Sequence, residues 1–126
     1  MYANRCRDLF LVHGTAHLPG FVVPWRLASL NEMPYRTTIL GGTFDVGSLG
    51  IRLVGILWLL AGLGFVIAGL GAYGSSPAWP TIALVGTLFS LALTVLGWPD
   101  APIGLALNAV ILAYLILGAR AGWWPG

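Results

Sequence analysis

The chain has 126 residues, of which 58% are hydrophobic and only 8% are charged, whereas soluble domains carry about 25% charged residues. Its length fits one compact bundle and is too short for a bundle with a second domain. The net charge of +2 comes from single, scattered arginines, which excludes the basic surface of a nucleic-acid-binding protein.

The first predicted membrane segment covers residues 9–23, LFLVHGTAHLPGFVV, and follows a short polar start. A signal peptide also begins with a basic region and an apolar run. His13, His17 and Pro19 interrupt this run, however, and no small-residue cleavage site follows it. We therefore predict a short, kinked membrane helix.

Residues 24–50 form the longest connection, and four charged side chains make it too polar to cross lipid. Trp25 and Tyr35 are suited to the membrane–water interface, where amphipathic rings meet the lipid headgroups. A loop of this length is often functional, and a flexible linker is the alternative.

The strongest membrane segment covers residues 51–72, with Arg52 as its only charge. A helix of this length crosses the roughly 30 Å hydrocarbon layer. Gly64, Ala68 and Ala72 recur every four residues. Small residues at this spacing allow a second helix to approach closely, so we predict that this stripe packs against a neighbour.

Two further helices are predicted at residues 78–97 and 102–119, with proline in the first turn of each, where its missing N–H costs little. Ala109 and Ala113 form a second small-residue stripe for helix packing. The predicted fold is therefore an all-α membrane protein, an antiparallel four-helix transmembrane bundle with one long polar loop between helices 1 and 2. Residues 1–126 form a single transmembrane domain.

Four crossings place both termini on the same side of the membrane. The six arginines divide evenly between the two sides, so the positive-inside rule is nearly balanced. Because Arg5 and Arg7 flank the first helix, we predict that both termini are cytoplasmic.

Polar residues gather near the loop side of the predicted bundle. The i, i+4 spacing of His13 and His17 places both on one face of the first helix. Ionisable groups within membranes usually face the bundle interior and find partners. We therefore predict a shared polar pocket, whose candidate residues are His13, His17, Asp45, Arg52, Asp100 and Asn108.

Each polar residue also has a purely structural interpretation. The histidines and Asn108 would fix packing through hydrogen bonds between helices. Arg52 would extend its charged end to the interface. The hydroxyls of Ser90 and Thr94 would bond to carbonyls of their own helix.

The histidines do not define a cofactor site by themselves. Two axial haem ligands come from opposite faces of the iron, whereas His13 and His17 share one helix face, and a metal would need a third ligand such as Asp45. A proton- or quinone-handling role places fewer demands on geometry, because histidine titrates near neutral pH. No catalytic set is present, so we expect no enzyme, no metal and no resident cofactor.

Three sequence stretches carry a resemblance to known proteins: HGTAHLPGFVVPW, GGTFDVGSLGIRLVGILW and LGWPDAPIGLALNAVILAYLIL. They resemble small bacterial membrane proteins that are similar in general plan to the DoxX-like four-helix proteins. The resemblance implies a multi-pass protein of the bacterial inner membrane. It also implies an association with quinone-linked redox systems or with accessory membrane complexes.

The leading functional prediction is a small non-enzymatic membrane protein that acts as an accessory or scaffold component of a larger assembly. Its partners would be the lipid bilayer and other membrane subunits or further copies of itself. One alternative is a subunit of a membrane redox system, with a quinone or a proton path near His13 and His17. The other is an oligomeric small-solute transporter.

Overall fold

The structure is a computed structural model that describes residues 2–124, with side chains from residue 5 onwards. Its elements in chain order are α1 (Tyr2–Thr15), α2 (Leu18–Val22), β1 (Thr38–Ile39), β2 (Phe44–Asp45), α3 (Gly47–Tyr73), α4 (Trp79–Leu96) and α5 (Pro102–Ala121). Within this part of the chain, α3, α4 and α5 are long and apolar enough to cross a membrane. The molecule is thus a helical bundle of three long apolar helices with a shorter N-terminal helix.

The helices follow one another around the bundle. α1 and α2 pack on α3, α3 packs on α4, and α4 packs on α5. At one end the backbone of Leu40 bonds to that of Leu96, and at the other end the rings of Trp79 and Trp124 are in contact. The described ends of the chain and the α3–α4 turn therefore lie opposite the long loop and the α4–α5 turn.

The first helix differs from the single segment predicted at residues 9–23. Helix α1 already begins at Tyr2 and ends at Thr15, and the short α2 follows after a break. The polar start continues the helix because the backbone hydrogen bonds of a helix form within the segment itself. They do not require the segment to enter lipid. The break precedes Pro19, which lacks the N–H that would bond to the carbonyl four residues earlier.

A short hairpin orders the connection between α2 and α3. Strands β1 and β2 are antiparallel, and Gly41 and Gly42 supply positive φ angles of 65° and 88° at its tip. The Oδ1 atom of Asp45 accepts a hydrogen bond of 2.9 Å from the Gly47 N–H, which lowers the pKa of this carboxyl below its ordinary value. Helix α3 consequently begins at Gly47, one turn before the predicted start at residue 51.

A glycine every seventh residue forms the groove of α3 that receives α1 and α2. A Cβ atom built on Gly69 would lie 3.1 Å from the Arg7 carbonyl oxygen, and one on Gly62 would lie 2.8 Å from the Gly14 carbonyl oxygen. Gly55 has the same relation to the side chains that follow α2. Because a seven-residue repeat returns to nearly the same face of a helix, these glycines allow α1 and α2 to run along α3.

Two predicted packing stripes need correction. Ala68 and Ala72 are fully buried, but a Cβ atom on Gly64 would meet nothing within 4 Å, so the stripe does not include Gly64. Ala109 and Ala113 are exposed on the outer side of α5. The buried face of α5 instead follows Asn108, Ile111, Leu115 and Gly118, because its rotation is fixed by the buried Asn108.

The two glycine environments on α3 make a direct test of the packing. Gly62→Ala adds a methyl group beside a fixed backbone carbonyl, and overpacking of this kind costs about 1–3 kcal/mol. Gly64→Ala adds the same group in open space and gains helix propensity. We expect thermal unfolding in detergent to show a lower midpoint for Gly62→Ala and no loss for Gly64→Ala. Equal midpoints for the two variants would contradict the close approach of α1 to α3.

Candidate functional site

Four buried polar side chains from three helical regions form a connected hydrogen-bond network. The His13 Nε2 atom lies 2.9 Å from Asn108 Oδ1, and Asn108 Nδ2 donates to Ser90 Oγ at 2.9 Å. His17 Nε2 lies 2.6 Å from the same hydroxyl. Between 0% and 4% of the surface of these four residues is exposed. The network therefore links the N-terminal segment to α4 and α5 inside the bundle.

The break between α1 and α2 positions His17. Its backbone N–H bonds to the Gly14 carbonyl, which leaves the His13 carbonyl without its regular helical donor. The His17 ring replaces that donor, with Nδ1 at 2.7 Å from the His13 carbonyl oxygen. The ring thus closes the end of its own helix and points its Nε2 atom toward α4.

This one carbonyl fixes the direction of every bond in the network. A carbonyl only accepts, so His17 Nδ1 donates, and in the neutral ring Nε2 must then accept the Ser90 hydroxyl proton. Ser90 Oγ accepts from the Asn108 amide nitrogen, so the amide oxygen faces His13. His13 Nε2 therefore carries the proton and donates to Asn108. Neutral histidines satisfy all of these bonds without a conflict.

Aromatic rings enclose the two histidines on the α3 side. The centroid of the Phe65 ring lies 4.6 Å from that of His13 and 5.3 Å from that of His17. The Trp58 ring lies 5.4 Å from His17 and packs against Gly20 of α2. These contacts restrict the imidazole rotamers and place aromatic surface against the α3 side of the network.

A cavity of about 360 Å³ adjoins the network, between the α1–α2 break and the first turns of α5. His13, His17 and Asn108 form its inner end, and Glu32 and Asp100 lie at its loop end. Apolar side chains make up most of the remaining wall, namely Leu30, Met33, Trp58, Pro102, Ile103 and Leu107. An apolar chamber with a few convergent polar groups is the usual form of a small-molecule site.

The structure brings only part of the predicted pocket together. His13, His17, Asp100 and Asn108 line the cavity, and Asp100 also lies 3.5 Å from Arg36 of the loop. Asp45 is exposed and bonds to the backbone at the start of α3.

Arg52 also lies outside the cavity. Its guanidinium lies 5.5 Å from the Trp25 ring centroid on the outer surface. The prediction that Asp45 and Arg52 share the pocket is therefore wrong, because Asp45 is exposed at the end of β2 and Arg52 is exposed in the second turn of α3.

Ser90 connects the network, although its hydroxyl was expected to bond to its own helix. Thr94 does behave in that way, with its hydroxyl donating to the Leu91 carbonyl at 2.8 Å. Ser90 lies on the buried face of α4 together with Thr87 and Thr94, so its position in the sequence does not distinguish it from these two residues. Trp58, Glu32 and Met33 also line the cavity, and no local sequence pattern indicated them.

Among residues 2–124, no group of three or more histidine, cysteine or acidic side chains is arranged to hold a metal ion. The two histidines share their hydrogen bonds with neutral groups of the protein. What the arrangement offers is hydrogen bonding inside a largely apolar chamber, which suits an organic molecule.

Comparison of the chain with protein-family models, curated proteins and solved structures finds no match. The resemblance to the DoxX-like proteins stays a prediction. The functional interpretation of the cavity therefore depends on its own geometry and chemistry.

The network predicts a specific stability difference between two buried hydroxyls of α4. Ser90→Ala leaves both His17 Nε2 and Asn108 Nδ2 without a partner, and an unpaired buried polar group costs about 1–3 kcal/mol. Thr87→Val removes a hydroxyl that bonds only to the Ala83 carbonyl of its own helix. We expect Ser90→Ala to lower the free energy of unfolding in detergent clearly more than Thr87→Val. Similar losses would argue against the network.

Proposed function

We propose that this protein is an integral membrane protein that binds a small, lipid-soluble organic molecule in the cavity between α1, α2 and α5. The observation that carries the proposal is the cavity of about 360 Å³ with buried histidine and asparagine side chains at its inner end. Its volume is within the roughly 300–1,000 Å³ range of ligand pockets, toward the small end.

The surface of the helices supports insertion into lipid. Large apolar side chains are exposed along the outer faces of the three long helices, including Leu60, Ile67, Val85, Val110 and Leu117. Meanwhile the buried face holds histidine, serine, threonine and asparagine. Monomeric soluble proteins rarely expose contiguous apolar surfaces of this extent.

The N-terminal segment would supply the fourth membrane-embedded element. It runs along α3 from Gly69 to Gly55, a distance of about 21 Å at 1.5 Å per residue. Its buried polar groups bond inside the bundle, which offsets their cost in a membrane. The four elements would form the single antiparallel transmembrane domain.

The position of the cavity favours entry of the ligand from the membrane. Packing between neighbours continues from α1 through α3 and α4 to α5, and the cavity lies between the first and last of these helices. Leu107 and Ile103 line it and are 41% and 75% exposed. A molecule dissolved in the bilayer would reach the cavity by passing these side chains.

A small carbene photoprobe, trifluoromethyl phenyl diazirine, tests the proposal in lipid nanodiscs. We expect labelling on the outer faces of α3 to α5 and on the cavity wall near His17 and Met33, read by peptide mass spectrometry. Leu107→Trp should fill the cavity and remove the wall labelling, while Val110→Trp, on the outer side of the same helix, should retain it. An unlabelled cavity wall in the unsubstituted protein would refute the binding proposal.

We further infer that both termini face the cytoplasm of a bacterial inner membrane, because Arg5 and Arg7 lie in the first two turns of α1, before its apolar part. After replacement of Cys6, a cysteine at Ser29 should react with an impermeant maleimide in intact cells, and one at Ser75 should react only after lysis. Both serines are exposed, at opposite ends of the bundle. The reverse labelling pattern would invert the topology.

The accessory role in a larger membrane assembly remains a prediction beside the binding proposal. Its structural support is the outer face of α5, where Ala109 and Ala113 are exposed and would permit a further helix to approach. A ligand-binding subunit of such an assembly would combine both roles.

A further inference from the structure

The direction of the hydrogen-bond network leaves one acceptor unused. Because His13 Nε2 donates to Asn108, its Nδ1 atom carries a lone pair in the neutral ring. No residue of the described chain bonds to this atom. Among the described residues, no fully buried side-chain nitrogen or oxygen lacks a hydrogen-bond partner. The Nδ1 atom is therefore not fully buried. Because His13 lines the cavity, we infer that Nδ1 faces it.

Asn108 is fully buried, so its second amide hydrogen is not offered to the cavity, and the other polar groups that line the cavity favour accepting over donating. Asp100 and Glu32 offer carboxylate oxygens at the loop end, and the Thr94 hydroxyl proton is used within its own helix. A bound molecule is thus matched best when it supplies a hydrogen-bond donor at the inner end. The apolar wall beyond that point, which includes the Trp58 ring, suits a hydrocarbon or aromatic body.

We propose that the cavity selects a neutral, hydroxyl-bearing, lipid-soluble ring compound of the phenol class, whose O–H donates to His13 Nδ1. This inference rests on the proposed function and specifies its ligand. No bond is made or broken in this binding step, and the proton remains on the hydroxyl.

Three related ligand classes fit less well. Ethers and oxidised quinones carry only hydrogen-bond acceptors. The lone pair of their oxygen would face the lone pair of His13 Nδ1, and no hydrogen bond would form. A carboxylic acid would bring a negative charge past the Glu32 carboxylate, although Arg36 offsets the charge of Asp100, and it would lose its hydration at the inner end. An ammonium group would be attracted by these carboxylates but would lose its hydration at the inner end, where a buried charge without an ionic partner is costly.

Competition against the diazirine photoprobe in nanodiscs tests the selection. Thymol, thymol methyl ether and duroquinone are compared at equal concentrations in the lipid, so that differences in partitioning are removed. Thymol can make one hydrogen bond that its methyl ether cannot, and one hydrogen bond raises the affinity roughly tenfold. Thymol should therefore protect the cavity wall at about one tenth of the concentration that the ether requires. Duroquinone should protect no better than the ether.

A single substitution isolates the acceptor. In His13→Gln, the side-chain amide retains an N–H near the Nε2 position for Asn108 but has no lone pair at the Nδ1 position. We expect the variant to retain photolabelling of the cavity wall and to reduce the advantage of thymol over its ether to less than about twofold. Val110→Trp serves as the control that leaves the preference unchanged.

The outcomes separate this inference from the binding proposal. Equal protection by the three compounds, or stronger protection by duroquinone, would overturn the phenol selection while the cavity remained a binding site. A thymol preference that persists in His13→Gln would overturn the role of Nδ1. Absence of cavity labelling in the unsubstituted protein would overturn the binding proposal itself.

Discussion

The hydrogen bond from the His17 ring to the His13 carbonyl is the constraint on which the interior depends. Its length is 2.7 Å, and it occupies the place that a backbone N–H holds in a continuous helix. Pro19 favours a break here, because it has no backbone N–H and its ring would clash with the Thr15 carbonyl in a continuous helix. The side chain that closes the break is thereby fixed in tautomer and direction. Ser90, Asn108 and His13 then follow in one consistent order of donors and acceptors.

This arrangement requires the N-terminal segment to approach α3 closely. Gly14 and Gly62 allow it, since a methyl group on either would lie 2.8 Å from the other's carbonyl oxygen. The approach brings both imidazole rings against Phe65. With one side of each histidine packed on an aromatic ring, the polar edges are directed toward α4 and α5. The close approach of the N-terminal segment to α3 thus directs the histidine hydrogen bonds toward α4 and α5.

The same geometry explains why a cavity lies beside the network. The N-terminal segment follows α3, while α5 follows α4, and the polar link between His13 and Asn108 joins the two outer elements at one level. On one side the regular helix is interrupted between Thr15 and Leu18, and residues of this break line the cavity. The loop covers this region, with Arg36 lying close to Asp100. The break that orients His17 therefore also borders the cavity.

The sequence by itself determined the approximate positions and the apolar character of α3, α4 and α5, because runs of apolar residues bounded by proline, glycine and charge act locally. It also placed His13 and His17 on one face, since a single turn of helix relates them. The tertiary structure alone decided which small residues pack. Gly55, Gly62 and Gly69 contact the N-terminal segment, whereas Gly64, Ala109 and Ala113 do not face another helix. The tertiary structure also brought Ser90 into contact with Asn108 and placed Asp45 and Arg52 outside the cavity. The physical reason is that the rotation of a helix about its axis depends on the sum of its contacts on all faces. In an apolar helix several rotations are nearly equivalent, and a buried polar group that needs a partner decides which face turns inward.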